Sequence, residues 1–94
     1  MKDTLFTLEK NERIAKNTYL WVLTGDISDI TAPGQFVNVK LDGFYLRRPI
    51  SVCEARDGRL TIIFKVVGEG TAKMAEAQVG ESFLVLTEIG RAHV

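Results

Sequence analysis

A single cysteine, Cys53, and a single histidine, His93, are the scarcest chemical groups of this 94-residue chain. One thiol cannot close an internal disulfide, and one thiolate cannot hold an iron–sulfur cluster or a structural zinc. His93 is penultimate and expected in a frayed end, which leaves no internal histidine for a Ser–His or Cys–His pair, although lysine-based variants stay open. The carboxylates are scattered over turns and expected surfaces, so neither an acid–base dyad nor a metal site is read from them. An excess of charge of one sign is missing too. Twelve basic residues balance twelve acidic ones, which argues against a nucleic-acid groove or a polybasic membrane surface. No apolar run approaches the ~20 residues that span a bilayer, and the N-terminus has no signal-peptide pattern. A cytoplasmic protein is expected, with no nucleic-acid and no membrane partner. Any redox or transfer chemistry has to come from a bound cofactor.

Enough apolar residues (46%) remain for one core, and the length suits one domain. Thr4–Lys10 alternates polar and apolar residues as a half-buried strand does, with a turn expected at Asn11-Glu12. Thr18–Thr24 is rich in β-branched and aromatic residues. Phe36–Leu41 puts Val37, Val39 and Leu41 on one face. Ser51–Ala55 follows, with Cys53 expected as a small buried hydrophobe. Asp57-Gly58 signals a two-residue hairpin. Leu60–Val67 has apolar residues on both faces near Ile62-Ile63, which predicts cover on two sides. Thr71–Gln78 consists of good helix formers with Thr71 as N-cap, ending near Val79-Gly80. Glu81–Thr87 is the last strand. Six strands, tight turns and one short helix before the last strand predict a mostly all-β fold, a six-stranded antiparallel Greek-key barrel.

Two stretches carry candidate chemistry. Tyr45-Leu46-Arg47-Arg48-Pro49-Ile50-Ser51-Val52 sets two arginines, a proline and a serine between apolar residues. A guanidinium can fork two hydrogen bonds onto phosphate oxygens. A hydroxyl three residues on lies about 10 Å further along an extended chain at ~3.3 Å per residue. That spacing suits a long ligand with an anionic group and a polar ring edge; an edge strand with solvated arginines would look the same. In Gly68-Glu69-Gly70-Thr71, glycines before a helix let a ligand approach the backbone, and the N–H groups of Ala72 to Met74 are expected to offer an anion site. A plain strand-to-helix turn needs the same glycines, and the motif is not the dinucleotide fingerprint of a parallel sheet. Taken together, the two stretches suit a pyrophosphate.

Arg48-Pro49-Ile50-Ser51, Ile63-Phe64-Lys65 and the Gly70-Thr71 helix start resemble the flavin-binding barrel of the ferredoxin–NADP reductase superfamily. Within it, Ala32–Phe36, Leu46–Ser51 and Val66–Thr71, in that order, are most similar to the electron-transfer subunits of NAD-dependent dihydroorotate dehydrogenase. The resemblance spans roughly residues 3 to 89. It implies FAD as cofactor, with Arg48 on the pyrophosphate and Pro49 and Ile50 shaping the wall beside the flavin. Ser51 would bond the isoalloxazine edge, Ile63, Phe64 and Lys65 would line the cofactor through backbone and stacking contacts, and Gly70 and Thr71 would complete the phosphate site. No catalytic residue and no metal ligand is assigned, and Arg47 receives no role.

The resemblance also implies an FAD-binding domain over residues 1–90, with Arg91–Val94 as a non-matching tail. NAD and a [2Fe–2S] cluster belong to segments that follow the barrel in such proteins. The implied partner is the dihydroorotate dehydrogenase catalytic subunit of pyrimidine biosynthesis, and self-association through the barrel face that would pack on a following domain is a further expectation. The barrel alone is not expected to be catalytically competent. The alternatives are a ferredoxin–NADP reductase-like or sulfide-dehydrogenase-type subunit, and a non-catalytic binding barrel such as an oligonucleotide-binding fold, against which the zero net charge argues.

Overall fold

The computed structural model describes residues 2–28, 30, 35–41, 44–45 and 50–87. The alternating segments become β1 (Lys2–Ala15), β2 (Thr18–Thr24), β3 (Phe36–Leu41), β4 (Phe44–Tyr45), β5 (Ile50–Arg56), β6 (Arg59–Lys65) and β7 (Ser82–Thr87), with α1 (Glu69–Ala75) before the last strand. Every pairing among the described residues is antiparallel. β1 lies between β2 and β7, β2 meets β6, β6 meets β5, β5 meets β3, and β3 meets β7. The ring β1–β2–β6–β5–β3–β7 therefore closes on itself as a six-stranded barrel in Greek-key order, as the sequence predicts. The two-residue β4 pairs with the end of β3, at Lys40↔Tyr45 and Leu41↔Phe44, outside the ring. No helix among the described residues is long and apolar enough to cross a membrane.

Inward positions of the six ring strands supply the core: Phe6 and Leu8 from β1, Trp21 and Leu23 from β2, Val37 and Val39 from β3, Ile50 and Val52 from β5, Leu60 and Ile62 from β6, and Val85 from β7. Met74 of α1, fully buried, joins them. Trp21 packs edge-on to Phe64, with ring centres 5.5 Å apart, and tilted against Phe83 at 5.0 Å. The Asp57-Gly58 hairpin forms as expected, with φ of 54° and 72° at its two residues and Arg56 opposite Arg59; both angles are those a two-residue turn of this hand requires.

Four local expectations are corrected. The turn expected at Asn11-Glu12 is not one: β1 runs on, with Asn11 opposite Trp21 and Glu12 opposite Leu20. The chain reverses instead at Lys16-Asn17, where Asn17 takes φ 54°, an angle asparagine tolerates better than most residues. Two register shifts, at Leu8/Lys10 and Arg13/Ala15, broke the alternation that marks a strand. Cys53 is exposed rather than buried, because it alternates with the inward Ile50 and Val52 and so shares the outer face with Ser51. Ile63 is 38% exposed, so β6 is covered on its inner face and not on both. The helix starts earlier than expected, at Glu69, with Gly68 as its N-cap.

Candidate functional site

β5 lies between β3 and β6 but does not hold both along its whole length. Its first residues pair with β3, as Val37↔Ile50 and Phe36↔Ser51, and the Val52 N–H donates to the Gln35 carbonyl at 2.8 Å. From Val52 onward it pairs with β6, as Val52↔Ile62, Glu54↔Thr61 and Ala55↔Leu60. Among the described residues the β5–β6 ladder stops at Val52↔Ile62. The next residues on each strand, Ser51 and Ile50 on one and Ile63, Phe64 and Lys65 on the other, diverge. On its far edge β6 stays paired, with Leu20↔Ile63, Tyr19↔Phe64 and Thr18↔Lys65. The edge of Ile63–Lys65 that faces the start of β5 thus carries backbone donors and acceptors with no strand partner among the described residues, a surface suited to a polar ligand edge.

The side chains sort by face. Ile50 and Phe64 point inward, 8% and 5% exposed, while Ser51, Ile63 and Lys65 face out. The Phe64 ring stacks on Tyr19 at 5.8 Å as well as meeting Trp21. The ring therefore belongs to the core, and only the Phe64 backbone is placed to line a ligand. Ser51 presents its hydroxyl on the outer face at the mouth of the divergence, one residue past the last β5–β6 rung. Arg48 and Pro49 lie outside the described residues.

Gly70 and Thr71 sit in the first turn of α1, not before it. The Thr71 hydroxyl is not an N-cap. From the third helical position it accepts the N–H groups of Val67 (2.9 Å) and Gly68 (3.2 Å) and donates to the Gly68 carbonyl. This arrangement folds the strand exit back onto the helix start, as the reaching-back half of a capping box does. The Ala72 N–H bonds the Gly68 carbonyl at 2.9 Å, and helix geometry gives Lys73 and Met74 partners in turn. The free N–H groups therefore belong to Glu69, Gly70 and Thr71, three residues earlier than the sequence reading placed them.

Sequence reasoning passed over Asn11. Its amide donates to the carbonyls of Ala75 (3.2 Å) and Ala77 (2.9 Å) at the end of α1, so β1 holds the helix that carries Gly70 and Thr71. The sequence carried no signal for it, since its place opposite Trp21 follows from the register shift at Leu8/Lys10. A displaced ionisation is resolved at Arg59, raised first by its hydrogen bond to Glu9 and then by the charge of Glu9. Arg59 is exposed and begins β6, about 20 Å from Lys65 at ~3.3 Å per residue, so it does not mark this site. A cleft of about 580 Å³ is lined by Leu5, Lys40, Lys73, Glu81, Phe83 and Leu84 among others. It flanks β7 and the later part of α1, and includes none of the residues at the β5–β6 divergence.

The chain is 42% identical over 93 residues to the electron transfer subunit of dihydroorotate dehydrogenase B (NAD(+)) of Fusobacterium nucleatum subsp. nucleatum, a match covering 93% of this chain and 36% of that protein. The subunits of the same name from Geobacillus sp. (strain WCH70) and Bacillus caldolyticus are 36% and 38% identical, over 96% and 89% of the chain and 37% and 35% of their own lengths. The chain thus spans little more than a third of the curated relatives it matches. Among solved structures it is similar to an NADH-dependent reduced ferredoxin-NADP oxidoreductase studied for flavin-based electron bifurcation. That likeness has a TM-score of 0.78 and 25% identity, over 95% of this chain and 34% of the other. A flavohemoglobin from Malassezia yamatoensis, solved with bound FAD and heme, shares the fold at a TM-score of 0.73 and 20% identity, over 98% of this chain and 26% of the other. No family model matches the chain.

Proposed function

We propose that this chain, a relative of the electron-transfer subunits of dihydroorotate dehydrogenase B along 93% of its residues, is the FAD-binding barrel of such a subunit. The observation that carries the reading is the 42% identity over 93 residues. The divergence of β5 from β6 fits the cofactor independently: it leaves a backbone edge at Ile63–Lys65 beside the outward Ser51, where a flavin's ring edge would find donors and acceptors. Arg48 would fork onto the pyrophosphate, Gly70 and Thr71 would stand on its other side, and Ile50 would support the wall from within the core. Bound FAD supplies the ability to take up a hydride and to release electrons singly. The protein's part is to hold the ring edge, anchor the phosphates and exclude water from one face. In the whole subunit, a nicotinamide-binding segment and an iron–sulfur segment would exchange electrons with this site, and the dihydroorotate dehydrogenase catalytic subunit would be the partner.

The test is the absorption spectrum of the purified protein, before and after mixing with FAD and passage through a sizing column. Flavin should elute with the protein at one per chain. A folded barrel that elutes free of flavin after saturation with FAD would refute the reading.

A further inference from the structure

We propose that Asn11 is a positioning residue for the cofactor site: its amide ties the end of α1 to the barrel and thereby sets where Gly70 and Thr71 stand. This rests on the flavin reading above. The α1 helix has seven residues, too few to be stable without tertiary support. Three attachments hold it. Thr71 fixes the start through the Val67 and Gly68 amides. Met74, fully buried, anchors the middle in the core. Asn11 fixes the end through the carbonyls of Ala75 and Ala77, and just beyond it the exchange of Gly80 N–H to Leu8 O (2.9 Å) and Leu8 N–H to Glu81 O (2.8 Å) continues the seam along β1. Without the tether the short helix would pivot about Met74, and its first turn would shift away from the phosphates.

The choice of residue supports a purpose beyond packing. Asn11 sits opposite Trp21, where an apolar side chain would satisfy the barrel. Its Oδ1 is buried with no hydrogen-bond partner among the described residues, a cost an apolar residue would avoid. What the amide adds is two donors aimed at two otherwise open helix-end carbonyls. Its orientation is chemically fixed, since the Oδ1 facing those carbonyls would repel them.

The experiment compares the parent chain with Asn11→Asp, which keeps the shape and loses the donors. Affinity is measured for FAD and for riboflavin, which has no phosphate, and amide hydrogen exchange is followed. Asn11→Asp should weaken FAD binding at least tenfold, through one or two lost hydrogen bonds and the repulsion of a carboxylate by the two carbonyls, and leave riboflavin binding at the parent's value. Exchange should quicken in 69–81 while β2 and β6 keep the parent's protection. Asn11→Gln, which retains amide donors on a longer arm, should recover most of the FAD affinity. Should Asn11→Asp not fold, Asn11→Ser, too short to reach both carbonyls, carries the same expectation. FAD binding by the variant within twofold of the parent overturns the proposal, as does an equal loss for FAD and riboflavin, which would mark a general loosening. A parent that binds no FAD would overturn the flavin reading, and this proposal with it.

Discussion

Phe64 is the residue at which the sequence motif and the structure make opposite demands, and Phe64→Leu separates them. By resemblance Phe64 lines the cofactor, where stacking would make its ring part of the flavin site. In the barrel the ring is 5% exposed, stacked on Tyr19 at 5.8 Å and edge-on to Trp21 at 5.5 Å. Leucine keeps most of the apolar volume and removes both aromatic contacts. Each such pair contributes ~0.5–1.5 kcal/mol beyond area burial, so the two together predict a loss of about 1–3 kcal/mol. For a domain of this size each kcal/mol lowers the melting temperature by roughly 4–8 °C. The assay is urea unfolding read by the fluorescence of Trp21, the only tryptophan, alongside an FAD titration. The midpoint should fall with the slope unchanged, and FAD affinity of the folded fraction should stay within about twofold of the parent, well under the tenfold that 1.4 kcal/mol represents. Unchanged stability together with a large loss of FAD affinity would refute the placement of the ring in the core.

The other predictions are briefer. Gly25→Ala should cost about 1–3 kcal/mol by overpacking, because a Cβ there would lie 2.7 Å from the Phe6 ring and 3.0 Å from the Leu5 carbonyl, and Phe6 is fully buried; a melting temperature equal to the parent's would show that the ring can turn aside. Cys53, exposed at the β5 bulge, should react with a thiol reagent in the native protein as fast as in urea, whereas protection that is lost on unfolding would restore the buried residue read from the sequence. Arg48→Ala should weaken FAD binding by ~1.5–3 kcal/mol, the range for a hydrogen bond to a charged group, and equal affinities in a fluorescence titration would place the phosphate elsewhere.

The elements that were legible in the sequence are those decided by neighbours along the chain. Asp57-Gly58 specifies its hairpin by the positive φ angles it tolerates, and Val37, Val39 and Leu41 declare a face because no bulge interrupts them. Where a strand slips against its partner, the signal fails. The shifts at Leu8/Lys10 and Arg13/Ala15 hid the second half of β1 and left Ile14 45% exposed, and the slip at Val52/Glu54 turned Glu54 outward and Ala55 toward the core. A bulge is set by two strands, so one strand's periodicity cannot announce it. The helix boundary was misplaced for a different reason. Threonine is read as an N-cap, but here its hydroxyl reaches back from the third helical position to Val67 and Gly68, a role equally open to it.

The candidate site divides along the same line. Ser51 and the Gly70-Thr71 pair were read as local motifs, yet the opening beside Ser51 on which the proposed site rests is non-local: β5 leaves β6 at Val52 while it still holds β3. Ile50 and Val52 are both buried, 8% and 3% exposed, so the inward alternation of β5 continues straight through the point where its partner on one edge is lost. The core therefore stays closed beneath the opening, and the outer face at Ser51 is free to serve a ligand. Opening a barrel between inward residues that stay buried costs hydrogen bonds along one edge and little apolar cover. A polar ring edge lying there restores those bonds, which is how binding FAD would stabilise the barrel as well as equip it.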